Sequence, residues 1–237
     1  MDLEAAGGLV HAAVIGSGAA IQIDTSPVSS DRWTTSPTTV ALGAGPVPSA
    51  QIVLQGRAGW LVEDDRTVIS GARLEQGRWV AWQPPCLSVE GPAVLAASTA
   101  TDLVSVCDEG LWGGSSTAVE RAFVSHDGGT TFQATPAGPP STYQGALLVA
   151  SPSPQTIIVA SYSQAANPVT GVLLASFDGG ATWAQVAQSA PTWDELGFTT
   201  ATQGIAVASH SNPAGGAMMM TYDGGHTWNP VTFRPAS

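Results

Sequence analysis

SFDGGATW, residues 176–183, decides the fold of this chain. Nearly the same string occurs again as SHDGGTTF at 125–132 and as TYDGGHTW at 221–228. Each copy sets a hydroxyl residue, an acid, two glycines and an aromatic at fixed offsets. An Asp side chain tolerates turn geometry and accepts hydrogen bonds from backbone N–H groups a few residues on. Glycine supplies the positive φ of a tight hairpin. The strings therefore predict hairpin tips held by their own side chains. Asp127, Asp178 and Asp223 tie each tip, and Ser125, Ser176 and Thr221 add a second local bond. Gly128, Gly129, Gly179, Gly180, Gly224 and Gly225 allow the turn, and Phe132, Trp183 and Trp228 start the next strand and point inward.

The aromatics extend the pattern backwards. Trp79 in GRWVAW and Trp33 in SSDRWTT precede Phe132, so the five aromatics are spaced 46, 53, 51 and 45 residues apart. The first two units lack Asp-Gly-Gly but keep the aromatic, and Asp31 with Ser29 or Ser30 retains a Ser-x-Asp start. Each unit reads as four short strands, as in GALLVAS, TIIVASYS, GVLLASF and ATWAQVA of the fourth. Short β-branched runs between Gly, Pro, Asp and Ser clusters are strand signals. No apolar period near 3.6 residues persists as a helix would need. Four strands per unit at this spacing predicts an all-β chain: a β-propeller of about five four-stranded antiparallel blades. A single domain over 1–237 is expected, with blades near 1–42, 48–85, 91–137, 143–189 and 193–235.

Composition narrows the function. Charged residues are 11% and hydrophobic ones 43%, which does not suggest disorder. With 27 Gly and 17 Pro, turns outnumber long helices. The net charge is −11, from seven Arg, no Lys and 18 Asp plus Glu. No basic run could neutralise phosphates, so nucleic acid is not an expected partner, and an anionic membrane would repel the chain. The apolar stretch GLVHAAVIGSGAAIQ at 8–22 is too short to cross a bilayer and reads as two strands around Gly-Ser-Gly. No direct membrane insertion is expected, and no targeting segment is evident in the sequence.

Ser/Thr-x-Asp-Gly-Gly-x-Thr-Trp/Phe resembles the Asp-box, or BNR repeat, of sialidases, sortilin-type receptors and Ycf48-type photosystem II assembly factors. The resemblance implies a propeller whose Asp-boxes lie between strands three and four, on the rim away from the ligand face. It therefore implies a structural role for Asp127, Asp178 and Asp223. Related propellers resemble rings of six or seven blades, whereas this sequence has length for five. It is either a compact five-bladed ring or a trimmed piece of a longer chain.

In such a blade, the turns joining strands two and three, and those leading to the next blade, share the opposite face. Cys86 and Cys107 both fall there in adjacent units. A disulfide is reasonable on that placement and would imply an oxidising, extracytoplasmic or secreted location; two separate buried thiols are the alternative. The same face collects Asp108, Glu109 and Trp112, with Arg66, Tyr143, Trp193, Asp194 and His210. Aromatics and acids on loops are the expected binding residues.

A sialidase-like or carbohydrate-binding role is the alternative to a binding scaffold. Sialidase-like chemistry resembles a clamp of three Arg on a carboxylate with a Tyr nucleophile and an acidic partner. The Arg-Ile-Pro motif of that family is absent, and Arg32, Arg57 and Arg78 fall on the wrong face. No P-loop, Gly-x-Ser-x-Gly or His-Glu-x-x-His occurs, so neither cofactor nor metal is expected. The favoured reading is a non-enzymatic binding or assembly propeller, most similar to the Ycf48-type group. Its partner is expected to be a protein or peptide, with carbohydrate as the lesser option.

Overall fold

A computed structural model describes residues 2–15, 21–36, 49–64, 68–87, 91–109, 119–140, 144–163, 170–189, 192–208 and 217–232. These residues form five four-stranded antiparallel sheets, and among them there is no helix. The sheets are the five blades of a β-propeller. Blade 1 comprises β1 (Asp2–Ala6), β2 (Leu9–Ile15), β3 (Ile21–Pro27) and β4 (Thr34–Thr35). Blade 2 comprises β5 (Ser49–Gln55), β6 (Ala58–Asp64), β7 (Val68–Glu75) and β8 (Arg78–Ala81). Blade 3 comprises β9 (Ala93–Ala97), β10 (Leu103–Glu109), β11 (Val119–Ser125) and β12 (Gln133–Ala134). Blade 4 comprises β13 (Gln144–Ser153), β14 (Thr156–Ser163), β15 (Thr170–Ser176) and β16 (Ala184–Ser189). Blade 5 comprises β17 (Trp193–Phe198), β18 (Gly204–Ala208), β19 (Ala217–Thr221) and β20 (Asn229–Pro230).

Strands run outward in sequence order within every blade. Each is joined to the next by an antiparallel connection, so all pairing is local. The expected strand pair around residues 8–22 is β2 and β3, paired from Leu9↔Pro27 to Ile15↔Ile21. The first strands β1, β5, β9, β13 and β17 together line a central channel of about 700 Å³. Side chains stitch neighbouring first strands. The Gln51 amide both donates to the Leu95 carbonyl (3.0 Å) and accepts from the Leu95 N–H (2.8 Å), and Asp2 accepts from the Ile52 N–H at 2.7 Å.

Burial explains why some middle strands lack clean alternation. Where blades stack face to face on both sides, a middle strand is covered on both faces, as in β6 and β15, whereas β3, β11 and β18 keep an alternation. VLLAS in β15 is buried throughout, as are Ile157–Ala160 in β14. Four apolar clusters fill successive interfaces: Ile23, Leu61 and Trp79 between blades 1 and 2; Trp60, Trp82, Leu95 and Cys107 between 2 and 3; Val106, Ala122 and Val159 between 3 and 4; Leu173, Trp193 and Trp228 between 4 and 5. Fourth strands are short and exposed; β4, β12 and β20 have two residues each, which keeps the rim from templating other chains.

Cys86 and Cys107 are bridged, with Cα atoms 5.7 Å apart. The bond staples the end of blade 2 to β10 of blade 3, and both residues are fully buried.

Candidate functional site

The rim turns are built alike. In blade 4, the Ser176 hydroxyl donates to Asp178 Oδ1 at 2.8 Å and accepts from the Gly180 N–H at 2.8 Å. The other Asp178 bonds come from the Ala181 and Thr182 N–H groups to Oδ1 (3.0 and 2.9 Å) and the Thr182 hydroxyl to Oδ2 (2.6 Å). Asp127 holds Ser125 and Thr131, and Asp223 holds Thr221 and Thr227, with the same geometry. The first glycine donates back to the turn between strands one and two: Gly128 to Thr101, Gly179 to Gln155 and Gly224 to Thr202, each at 2.9 Å. These bonds, led by the threonine hydroxyls, hold all three carboxyls down at about 2. A carboxylate whose oxygens are committed to its own turn is a fastener, not an acid or base.

Blade 1 departs from the expected alignment. Its equivalent hydroxyl is the buried Ser26, which accepts from the Arg32 N–H at 3.1 Å and donates to the Ser30 carbonyl at 3.0 Å. Asp31, placed in the turn by sequence, instead accepts the Trp33 indole N–H at 2.8 Å. That bond keeps Trp33 on the surface, 43% exposed, whereas Trp79 and Trp228 are buried. The five aromatics still occupy corresponding places, at or just before the fourth strand.

The opposite face carries the acids. Asp2, Glu4, Asp64, Asp194 and Glu195 all line the channel, and among the described residues no Arg, Lys or His does. Asp2 begins β1, Asp194 falls at the start of β17 and Asp64 ends β6, so topology gathers them at the mouth away from the Asp-Gly-Gly turns. Asp64 accepts from the Ser49 hydroxyl at 2.7 Å. The Glu4 carboxyl is raised, by desolvation first and by repulsion from Asp2 second. A negative field in a low-dielectric channel attracts cationic groups.

The residues expected at the binding face separate. Asp194 is exposed at the channel mouth, as expected of a contact residue. Trp193 and Asp108 are buried instead of exposed, at 2% and 1%. Trp193 is the first residue of β17 and packs into the core between blades 4 and 5. Asp108 points from β10 toward blade 4, and neither of its oxygens has a hydrogen-bond partner. Burial alone pushes its carboxyl up to about 6. Its register partner across the ladder is another buried acid, Glu120, which accepts from the Ser161 hydroxyl of blade 4 at 3.2 Å. The Glu109 backbone ends β10, and Arg66, Trp112, Tyr143 and His210 lie outside the described residues. Sequence reading missed Asp2 and Glu4 as channel residues, because only the ring brings β1 to the mouth beside β17. The signal available was an acid near the start of each of those first strands.

No protein-family model matches this chain, and no curated protein does. Solved structures do. The fucose-specific lectin from Aleuria aurantia superposes with TM-score 0.62 at 11% identity over 98% of this chain and 77% of the lectin. Trypanosoma rangeli sialidase superposes with TM-score 0.57 at 10% identity over 94% of this chain and 46% of the enzyme. This chain thus spans less than half of the sialidase's length. A Ycf48 bound to a D1 peptide aligns over 97% of this chain and 81% of that one, at 13% identity and TM-score 0.44. At these identities the likeness is one of fold.

Proposed function

We propose that this chain is a non-enzymatic binding or scaffolding propeller that receives a basic segment of a protein or peptide partner at the acidic mouth of its central channel. One observation carries the reading: five carboxylates and, among the described residues, no cationic side chain line that channel. A Lys or Arg side chain entering it would meet Asp64, Asp194 and Glu195 with little competing positive charge. The Aleuria aurantia lectin, which shares this fold, is a binding module seen with a fucoside, and a carbohydrate is the lesser option here. The Cys86–Cys107 bridge supports a place outside the cytoplasm. A sialidase-like activity is disfavoured by the arginines. Arg32, Arg57, Arg73, Arg78 and Arg121 are absent from the channel lining, which leaves Arg66 and Arg234 for a clamp that needs three.

The test is capture of peptides from a Lys/Arg-rich library by the intact protein and by a triple variant, Asp64→Asn, Asp194→Asn and Glu195→Gln. The expected result is tight, salt-sensitive capture that the variant loses by at least about tenfold. Equal capture by the two proteins, both folded by circular dichroism, removes the channel from the reading.

A further inference from the structure

The first blade interface lacks the plug that closes the next three. At those three, the second glycine of each Asp-Gly-Gly turn abuts the preceding blade. A Cβ on Gly129 would lie 3.1 Å from Trp82, one on Gly180 would lie 2.5 Å from Thr135, and one on Gly225 would lie 2.3 Å from Ile158. Blade 2 closes β7 to β8 with the shorter Gln76–Gly77 hairpin, at φ 51° and 77°. A Cβ on Gly77 would meet nothing within 4 Å. Where a longer turn would sit, a cavity of about 620 Å³ opens between blades 1 and 2. That volume is in the range of small-ligand pockets.

Its walls and its polar groups differ in kind. Leu9, Leu54 and Leu74 give it an apolar side, and Leu9 is 40% exposed for want of a cover. Deeper in, the Thr25 hydroxyl lies 3.3 Å from His11 Nδ1 and also contacts the Ser36 hydroxyl closely. That chain engages Nδ1, and the ring packs edge-on against Trp79 with centroids 5.9 Å apart. Burial lowers the His11 pKa, so the ring is neutral near pH 7. Arg57, exposed on the turn between β5 and β6, supplies a cation among the lining residues. Among the described residues, no Asp or Glu lines this cavity. One wall wants hydrocarbon, and the charge at the cavity wants an anion.

We propose that the cleft between blades 1 and 2 binds a small organic carboxylate with an apolar body, Arg57 pairing with the carboxylate and the three leucines holding the body. The site opens on the face opposite the acidic mouth, and Leu54 lines both.

Octanoate is a suitable probe, with 1-octanol and octylammonium as matched neutral and cationic controls, titrated by calorimetry against the whole protein. The protein's net charge of −11 favours octylammonium in any non-specific association, so selection of the anion is diagnostic. Octanoate should bind saturably and at least about tenfold more tightly than either control. Arg57→Ala should lose most of that preference, Arg57→Lys should keep part of it, and Asp194→Asn should bind octanoate unchanged. Absence of saturable octanoate binding, equal binding of octylammonium or octanol, or an unaffected Arg57→Ala protein overturns the proposal.

Discussion

Asp178 and Asp108 show how the same side chain gains opposite pKa shifts from its surroundings. In the rim turn, Asp178 accepts hydrogen bonds from Thr182, Ser176 and Ala181, so ionisation is favoured and the carboxyl sits at about 2. The unfolded value is near 3.9, so this group adds stability above about pH 4 that is lost as pH falls toward 2. With Asp127 and Asp223 alike, the melting temperature should drop through that window. Asp178→Ala should lower the melting temperature by a few degrees at pH 7 and flatten the acid limb, as read by calorimetry. Asp108 behaves in reverse. Its folded pKa of about 6 exceeds the unfolded one, so ionisation between about pH 4 and 6 removes stability and the cost persists above. Asp108→Asn should therefore raise stability by on the order of 1–2 kcal/mol at pH 8 and by much less at pH 4.5, measured by urea unfolding.

At the scale of the element, the rim hairpin is both a local motif and a joint. Its Ser-x-Asp-Gly-Gly logic was legible because the bonds of its Ser and Asp side chains close within about four residues. What the second glycine does was not legible, since its neighbour lies in another blade. A Cβ on Gly225 would press Ile158 Cδ1 at 2.3 Å with φ at 95°, so Gly225→Ala should cost about 2–4 kcal/mol from clash and backbone strain together. Gly77→Ala, equally left-handed but in open space, should cost only about 1 kcal/mol. Denaturant midpoints of the two variants separate the terms. The blade 1 turn fails the alignment because Ser26, three residues before Ser29, takes the hydroxyl position. Two serines at 29 and 30 gave sequence reading a closer match than the one the backbone uses.

Across the whole molecule, the blades are not equally well joined. β15 of blade 4 is covered on both sides, whereas β18 of blade 5 alternates buried and half-buried. Its inward residues Ala206 and Ala208 pack on blade 4, and the facing side toward blade 1, with Ile205 and Val207, is only half covered. Native-state hydrogen exchange should show lower protection in β18 and β19 than in β14 and β15, because local opening follows thin packing. The disulfide acts at the other scale of joint. Opening the 21-residue separation between Cys86 and Cys107, by Cys86→Ser with Cys107→Ser, should cost about 3 kcal/mol in denaturant unfolding.

The sequence by itself determined the repeat, the four-stranded unit, the rim turns and the face on which Cys86 and Cys107 meet. Each is written in short-range spacing or in strand order, which a chain carries wherever it folds. Only the tertiary structure decided which acids converge, which of Asp108, Trp193 and Asp194 reach water, and which interface stays open. Those outcomes depend on residues from different blades approaching within a few ångströms, and on a clash or a gap that no single blade contains.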